Sequence, residues 1–281
     1  MGMTKTFMLL AAMTALLLAI GQVLGGHNGL LFAGAFAVIM NFGAYWFSDQ
    51  IVLKLYKARE VDAASAPELY EIVQTLAKRA NIPMPRVYII PTAAPNAFAT
   101  GRNPAHAAVA ATEGILQLLT QEELTGVMAH ELSHVVNRDT LIGTISATIA
   151  GAIGMLANMA QLAMLFGDRR AQQGNAIASI LLMIFAPIAA ALIQFAVSRT
   201  REYGADESGA KLCGHPLWLA SALLKLERGN AEQPMPAAEQ HPTSAHLFIV
   251  NPLTGIKMGQ LFSTHPPIEE RVRRLRAMAE Q

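Results

Sequence analysis

Only 15% of the 281 residues carry a charge, 6% are aromatic and a single one is cysteine. One thiol excludes an internal disulfide, and nothing around it suggests a nucleophile. Cys213 reads instead as a small packed apolar residue. An excess of either charge is also missing: 21 Lys and Arg stand against 20 Asp and Glu, a net +1. That balance gives no basic surface for nucleic acid and no sign of an acidic partner. There is no glycine-rich phosphate loop and no internal repeat. What is abundant is apolar sequence, 53% of the chain, too much for an ordinary soluble domain.

No Asp, Glu, Lys or Arg lies between Lys5 and Asp49, between Asp139 and Asp168, or between Arg170 and Arg199. These intervals hold four segments near the roughly 20 residues a membrane-spanning helix needs. They are Phe7 to Leu24, Gly29 to Phe47, Leu141 to Phe166 and Ile177 to Val197. The turn GGHNG joins the first two. A second span follows the first so closely that an anchoring hairpin is expected rather than a cleaved signal peptide. The myristoylation-like start MGMTKT is a short pattern before a run that already anchors the chain.

Lys5, Lys54, Lys57, Arg59, Arg138, Arg199 and Arg201 flank the segments and place those ends in the cytoplasm. Arg169 and Arg170 in the loop GDRRAQQGN disagree with this bias, so the last hairpin either crosses despite them or is only partly embedded. The expected organisation is a transmembrane hairpin over 1–48, a first cytoplasmic part over 49–140, a second hydrophobic hairpin over 141–197 and a second cytoplasmic part over 198–281. The two cytoplasmic parts meet in one core.

Within those parts, Leu69, Ile72, Val73 and Leu76 recur at helical spacing over Pro67 to Ala80. RVYII, AFATG and AHAAVAAT read as short strands, the last two separated by the turn GRNP. The Pro, Ala and Gln-rich piece from Asn230 to Ser244 reads as a mobile surface loop. Glu269 with Arg273, and Glu270 with Arg274, read as solvent-face pairs.

One short stretch carries chemistry. Thr120 and Glu123 make a capping box, and Leu124, Met128 and Leu132 continue a buried stripe through VMAHELSHVVNRD. His130 and His134 are then one turn apart and can reach a single Zn²⁺. Glu131 stands beside them, placed to take a proton from water attacking a carbonyl carbon. A further downstream histidine is absent, since Asn137 and Thr140 stand where Gly and His would extend the motif. Glu202 and Asp206, four apart on a probable helix, offer one carboxylate to the metal and one to orient a ligand histidine. His241 and His246 are rival ligands.

HELSHVVNRDT, REYGAD after a hydrophobic hairpin, SAHLFIVNP and STHPP resemble the membrane-bound heat-shock proteases of the HtpX family, relatives of the CAAX prenyl proteases. The resemblance covers nearly the whole chain, PNAFATG included. It implies an α+β fold: a multi-pass helical membrane protein with a zincin-like HExxH protease domain, mainly α with a small β-sheet. It implies one zinc per chain on His130, His134 and Glu202, with Glu131 as catalytic base and Asp206 behind the ligands. It also implies an edge strand on which Asn96, Ala97, Phe98 and Ala99 bind extended peptide, and His265 donating to the oxyanion. The implied setting is a bacterial-type inner membrane with the site facing the cytoplasm, membrane lipid around the anchor, and unfolded or damaged membrane proteins as substrates.

The charges Glu122, Glu123, Arg138 and Asp139 around the motif place the metal outside the hydrocarbon. The competing reading is a non-hydrolytic membrane adaptor or scaffold with a structural metal. Such sites are usually closed by four protein ligands, whereas two histidines and a glutamate leave a position open. A metal transporter fits less well, because the four apolar segments contain no Asp, Glu or His.

Overall fold

The computed structural model describes residues 2–150, 199–253 and 265–280. The segment from Ile177 to Val197, most of Leu141 to Phe166 and the loop GDRRAQQGN lie outside the described residues. The chain is mainly helical around one small mixed sheet.

The first helix, α1 (Gly2–Leu55), is one run of helical structure that does not run straight. Gly26 has φ +56°, and Asn41 Nδ2 donates to Thr14 Oγ1 at 2.8 Å although the two lie 27 residues apart. A straight helix would separate them by about 40 Å at 1.5 Å per residue. The chain therefore folds back at GGHNG, as its composition predicts. Gly21 and Gly29 face each other across the turn, where a Cβ on either would overlap the other's carbonyl. Gly26–Leu55 is, among the described residues, the one helix long and apolar enough to cross a membrane.

Four strands follow: β1 (Arg59–Val61), β2 (Arg86–Ile90), β3 (Ala97–Gly101) and β4 (Ala107–Thr112), in the order β1-β2-β4-β3. β4 is parallel to β2 and antiparallel to β3, and β1 is antiparallel to β2. RVYII, AFATG and AHAAVAAT thus form strands as expected. β1 carries no such signal, being three residues with two charges. β3 lies at the edge.

Period-two alternation splits the sheet between two cores. Val87, Ala97, Ala99, Val109 and Ala111 face the helices. Tyr88, Ile90, Phe98, Ala108 and Ala110 face a second cluster that includes Val52, Leu53 and Tyr56 from the end of α1, together with Phe248. Tyr56, Phe98 and Phe248 pack ring on ring, and Tyr56 is hydrogen-bonded to Ser244. Nearer the apolar part of α1, Arg102 stacks over Trp46 and Arg86 pairs with Asp49 at 2.9 Å.

The helical layer comprises α2 (Pro67–Arg79), α3 (Glu113–Leu118), α4 (Gln121–Val136), α5 (Thr140–Ala150), α6 (Arg199–Cys213), α7 (Pro216–Glu232), α8 (Pro236–Gln240) and α9 (Ile268–Ala279). α4 packs on α2, α6 and α7, and α9 packs on α7. Residues before and after the second charge-free run thus share one core, and Cys213 is buried in it.

Two expectations are corrected. Asn230 to Ser244 is no mobile surface loop: it forms the end of α7, then α8, then part of a 3-10 turn, Pro242–Leu247. Met235 and Ala238 are buried in the second core, and Asn230 donates to the carbonyls of Pro95 and Leu226. Its apolar members, diluted by Pro and Gln, were too sparse to show a period. On α9, Arg274 pairs with Glu270 as expected, but Arg273 pairs with Glu270 too, three residues back, rather than with Glu269.

Candidate active site

α4 starts at the capping box predicted for it: Thr120 Oγ1 accepts from the Glu123 N–H, and Glu123 accepts from the Thr120 N–H. Glu123 is also held by Ser221 and Lys225 from α7, which fixes the helix start on the core. Leu124, Met128 and Leu132 are buried, and the opposite face presents the motif to a cleft below β3.

His130 and His134 bring their Nε2 atoms to 3.3 Å of one another. Glu202, on α6, places its two carboxylate oxygens 3.7 Å from His130 Nε2 and 3.6 Å from His134 Nε2. α6 can come this close because of a glycine. A Cβ at Gly209 would stand 2.8 Å from the backbone nitrogen of His130 and 2.9 Å from its Cα.

A salt-bridged layer lies behind the ligands. Asp206 Oδ1 sits 2.9 Å from His130 Nδ1. Arg271, fully buried on α9, donates to both oxygens of Asp206 at 2.8 and 2.7 Å, and its third nitrogen donates to the Ile249 carbonyl at 2.9 Å. His134 Nδ1 lies 3.7 Å from Asp139, and Arg201 lies 3.9 Å from the same carboxylate.

Electrostatics follow from this packing. Burial lowers His130 to about 4 despite Asp206, so its lone pair is free at neutral pH. Burial would lower His134 as well, but Glu202, then Asp139 and Glu131, lift it to about 9. Burial would raise Glu202, yet His134, His265 and His130 hold its carboxyl well below the usual range. The cluster therefore favours positive charge at its centre.

The donor set fits zinc. Ligand atoms of His130, His134 and Glu202 all lie within 4.8 Å of one another. Tetrahedral ligands at about 2.1 Å from a metal stand about 3.4 Å apart, close to the spacings found. Glu202 Oε2, pointing into this space, has no hydrogen-bond partner among the described residues. Replacing Glu202 by alanine leaves two imidazoles, and bound zinc is expected to fall at least as far as on losing an outer-layer partner, about 10 to 100-fold in affinity. Metal analysis of the purified variant checks this. Zinc retained at the parental level would put the third ligand elsewhere.

The other predicted residues divide. Glu131 is buried at the cavity wall, and burial raises its carboxyl to about 7 against the pull of His134. The Ala99 N–H of β3 is directed at it. His265 lies with Nδ1 3.4 Å from Glu202, both ring nitrogens lacking hydrogen bonds among the described residues. Asn96 and Ala97 have their polar groups engaged by residues 249–250, Phe98 points into the second core, and Ala99 lines the cavity. His246 is not in the ligand cluster. Its ring nitrogens face the carbonyls of Thr243 and Gly143, although the ring borders the same cavity. His241 lies at the cap before the 3-10 turn and is outside the ligand cluster too. Arg271 had not been singled out by its sequence.

The family model of peptidase family M48 matches residues 63–279. The chain belongs to peptidase family M48. As an M48 member it is a zinc metalloendopeptidase, and the two histidines and glutamate are the metal-site pattern of that family. Among its relatives, the Protease HtpX homolog of Syntrophotalea carbinolica is 57% identical over 281 residues, covering 99% of both chains. Protease HtpX of Legionella pneumophila strain Lens is 56% identical over 276 residues, covering 98% of both. The crystal structure of S. mikatae Ste24p shares the fold, with a TM-score of 0.52 at 18% identity. That match covers 97% of this chain and 65% of the longer Ste24p chain.

Proposed function

We propose that this M48 peptidase is a multi-pass protein of a bacterial-type inner membrane that cleaves unfolded or damaged membrane proteins at the cytoplasmic face. The observation that carries the reading is the convergence of Glu202 from α6 on His130, His134 and Glu131 under the edge strand β3, the last three on a helix followed within four residues by the apolar helix α5. A structural metal in an adaptor would need no buried carboxylate beside the ligands, raised to about 7 and facing a cavity.

Zinc held by His130, His134 and Glu202 would polarise the scissile carbonyl and the attacking water. Glu131 takes the proton of that water on its carboxylate and passes it to the leaving amine. His265, whose ring nitrogens make no hydrogen bond among the described residues and whose Nδ1 stands 3.4 Å from Glu202, donates to the oxygen on which charge develops. Asp206 accepts from His130 Nδ1 and fixes the tautomer that leaves Nε2 free, while Arg271 holds Asp206 in place.

Purified full-length chain, loaded with zinc, should cleave an unfolded membrane protein, and a chelator should abolish the cleavage. Zinc binding without hydrolysis of any unfolded protein would favour the adaptor. Topology has its own test. Reporters at Asp62 and after Gln281 should both be accessible from the cytoplasm, because Lys54, Lys57, Arg59, Arg199 and Arg201 flank the apolar segments on that side. A reporter reached only from outside overturns the proposed orientation.

A further inference from the structure

We infer that Gly143 and Leu247 meet at a constriction that closes the cavity and sets substrate choice, leaving room next to the scissile bond only for a small side chain such as glycine, alanine or serine. The inference rests on the peptidase reading above and concerns which peptides that site accepts.

The cavity over the ligands is small, about 50 Å³, room for a few waters. Ala99 borders it from the strand, Gly143 from α5, and Leu247 from the 3-10 turn. Two of these three residues have little or no side chain. Gly143 and Leu247 themselves meet, since a Cβ on Gly143 would stand only 3.3 Å from Leu247 Cδ2, so this side of the cavity is closed.

A peptide cannot slide along β3 to escape this point. The outward carbonyl of Ala97 already accepts from the Ile249 N–H. Asn96 uses its side-chain amide to hold Val250, donating from Nδ2 to the carbonyl at 2.8 Å and accepting from the N–H at 3.4 Å. At the other end Thr140 donates to the Gly101 carbonyl. Between them Ala99 keeps its carbonyl for a peptide, its N–H being directed at Glu131. Strand pairing is thereby reduced to one register, with the reacting bond beside the constriction.

Both walls are fixed. Phe248 and Ile249 are fully buried in the two cores, and Arg271 donates to the Ile249 carbonyl. α5 is pinned to β3 by Thr140 and by the Thr144–Thr100 hydroxyl pair at 2.9 Å, and His246 Nε2 stands 3.2 Å from the Gly143 carbonyl. This contact can open only as far as the leucine side chain turns aside. A bulky substrate residue then costs transition-state binding, about 10-fold or more for a side chain the cavity does not accommodate.

The test uses full-length, zinc-loaded enzyme and quenched peptides identical except for Ala, Val, Leu or Phe on one side of the bond, then the other. The parent should favour Ala over Leu about tenfold at one of these positions. Leu247→Ala should bring that ratio towards one, and Gly143→Ala should raise it. A ratio is read within each variant, so a loss of folded enzyme does not imitate the effect. Peptide cleavage with no preference for the small residue, or with the parental ratio kept in both variants, overturns this inference alone. Absence of all cleavage by the zinc-loaded parent overturns it together with the peptidase reading.

Discussion

Glu131→Gln should leave about one zinc per chain and an unchanged melting temperature, while hydrolysis falls by about 10² to 10⁴-fold, the span expected for losing a positioned general base. Glutamine keeps the length, planarity and polarity of the side chain, so the Ala99 N–H still finds an acceptor and the packing at this buried position is conserved. What is lost is the ability to take a proton. Burial has moved this carboxyl to about 7, so near neutral pH a substantial share of it is ionised and it still holds a proton well. Metal analysis and a peptide assay on the same preparation decide the matter. Parental turnover in the variant would sink the hydrolytic mechanism, and lost zinc would show that Glu131 supports the metal instead.

The second large effect is expected at a residue that touches neither metal nor substrate in the proposed mechanism. Arg271→Ala removes the guanidinium that binds both oxygens of Asp206 and the carbonyl of Ile249. Asp206 stays buried beside His130 with no compensating charge, and breaking a buried pair in this way costs about 3–5 kcal/mol. Chemical denaturation should show that loss, and zinc should bind more weakly because His130 is no longer fixed. Arg271→Lys should recover part of the stability but not the two-point grip on the carboxylate. If Arg271→Ala unfolds with the parent and keeps its zinc, the layer behind the ligands is not what positions His130.

Much of this organisation is legible in the sequence, for local reasons. A capping box, a four-residue histidine spacing and a stripe of Leu124, Met128 and Leu132 are set within one helix, and they reappear in it. The turn at GGHNG and three of four strands are equally local. Arg271 is not legible in the same way, because an arginine in a charge-rich helix reads as exposed. Its position carried a signal nonetheless: Ile268, Arg271, Val272 and Leu275 share the buried face of α9, so an arginine sits within an apolar stripe. The 235–253 region escaped for the opposite reason. Its burial depends on partners far away in the chain, such as Tyr56 for Ser244 and Asn96 for Val250, and no local period reports them.

The ring cluster of Tyr56, Phe98 and Phe248 has a practical consequence. Anchor and enzyme have no clean seam. A shortened chain beginning after Leu55 would lose Val52 and Leu53 and leave the Phe98 side of the sheet wet, next to the segment that borders the cleft. Excising the hairpin to gain a water-soluble protease would therefore disturb the catalyst itself. Natural variation should obey the same restriction: the outer turns of α1 are open to drift, while its last two turns must change in step with the sheet they cover.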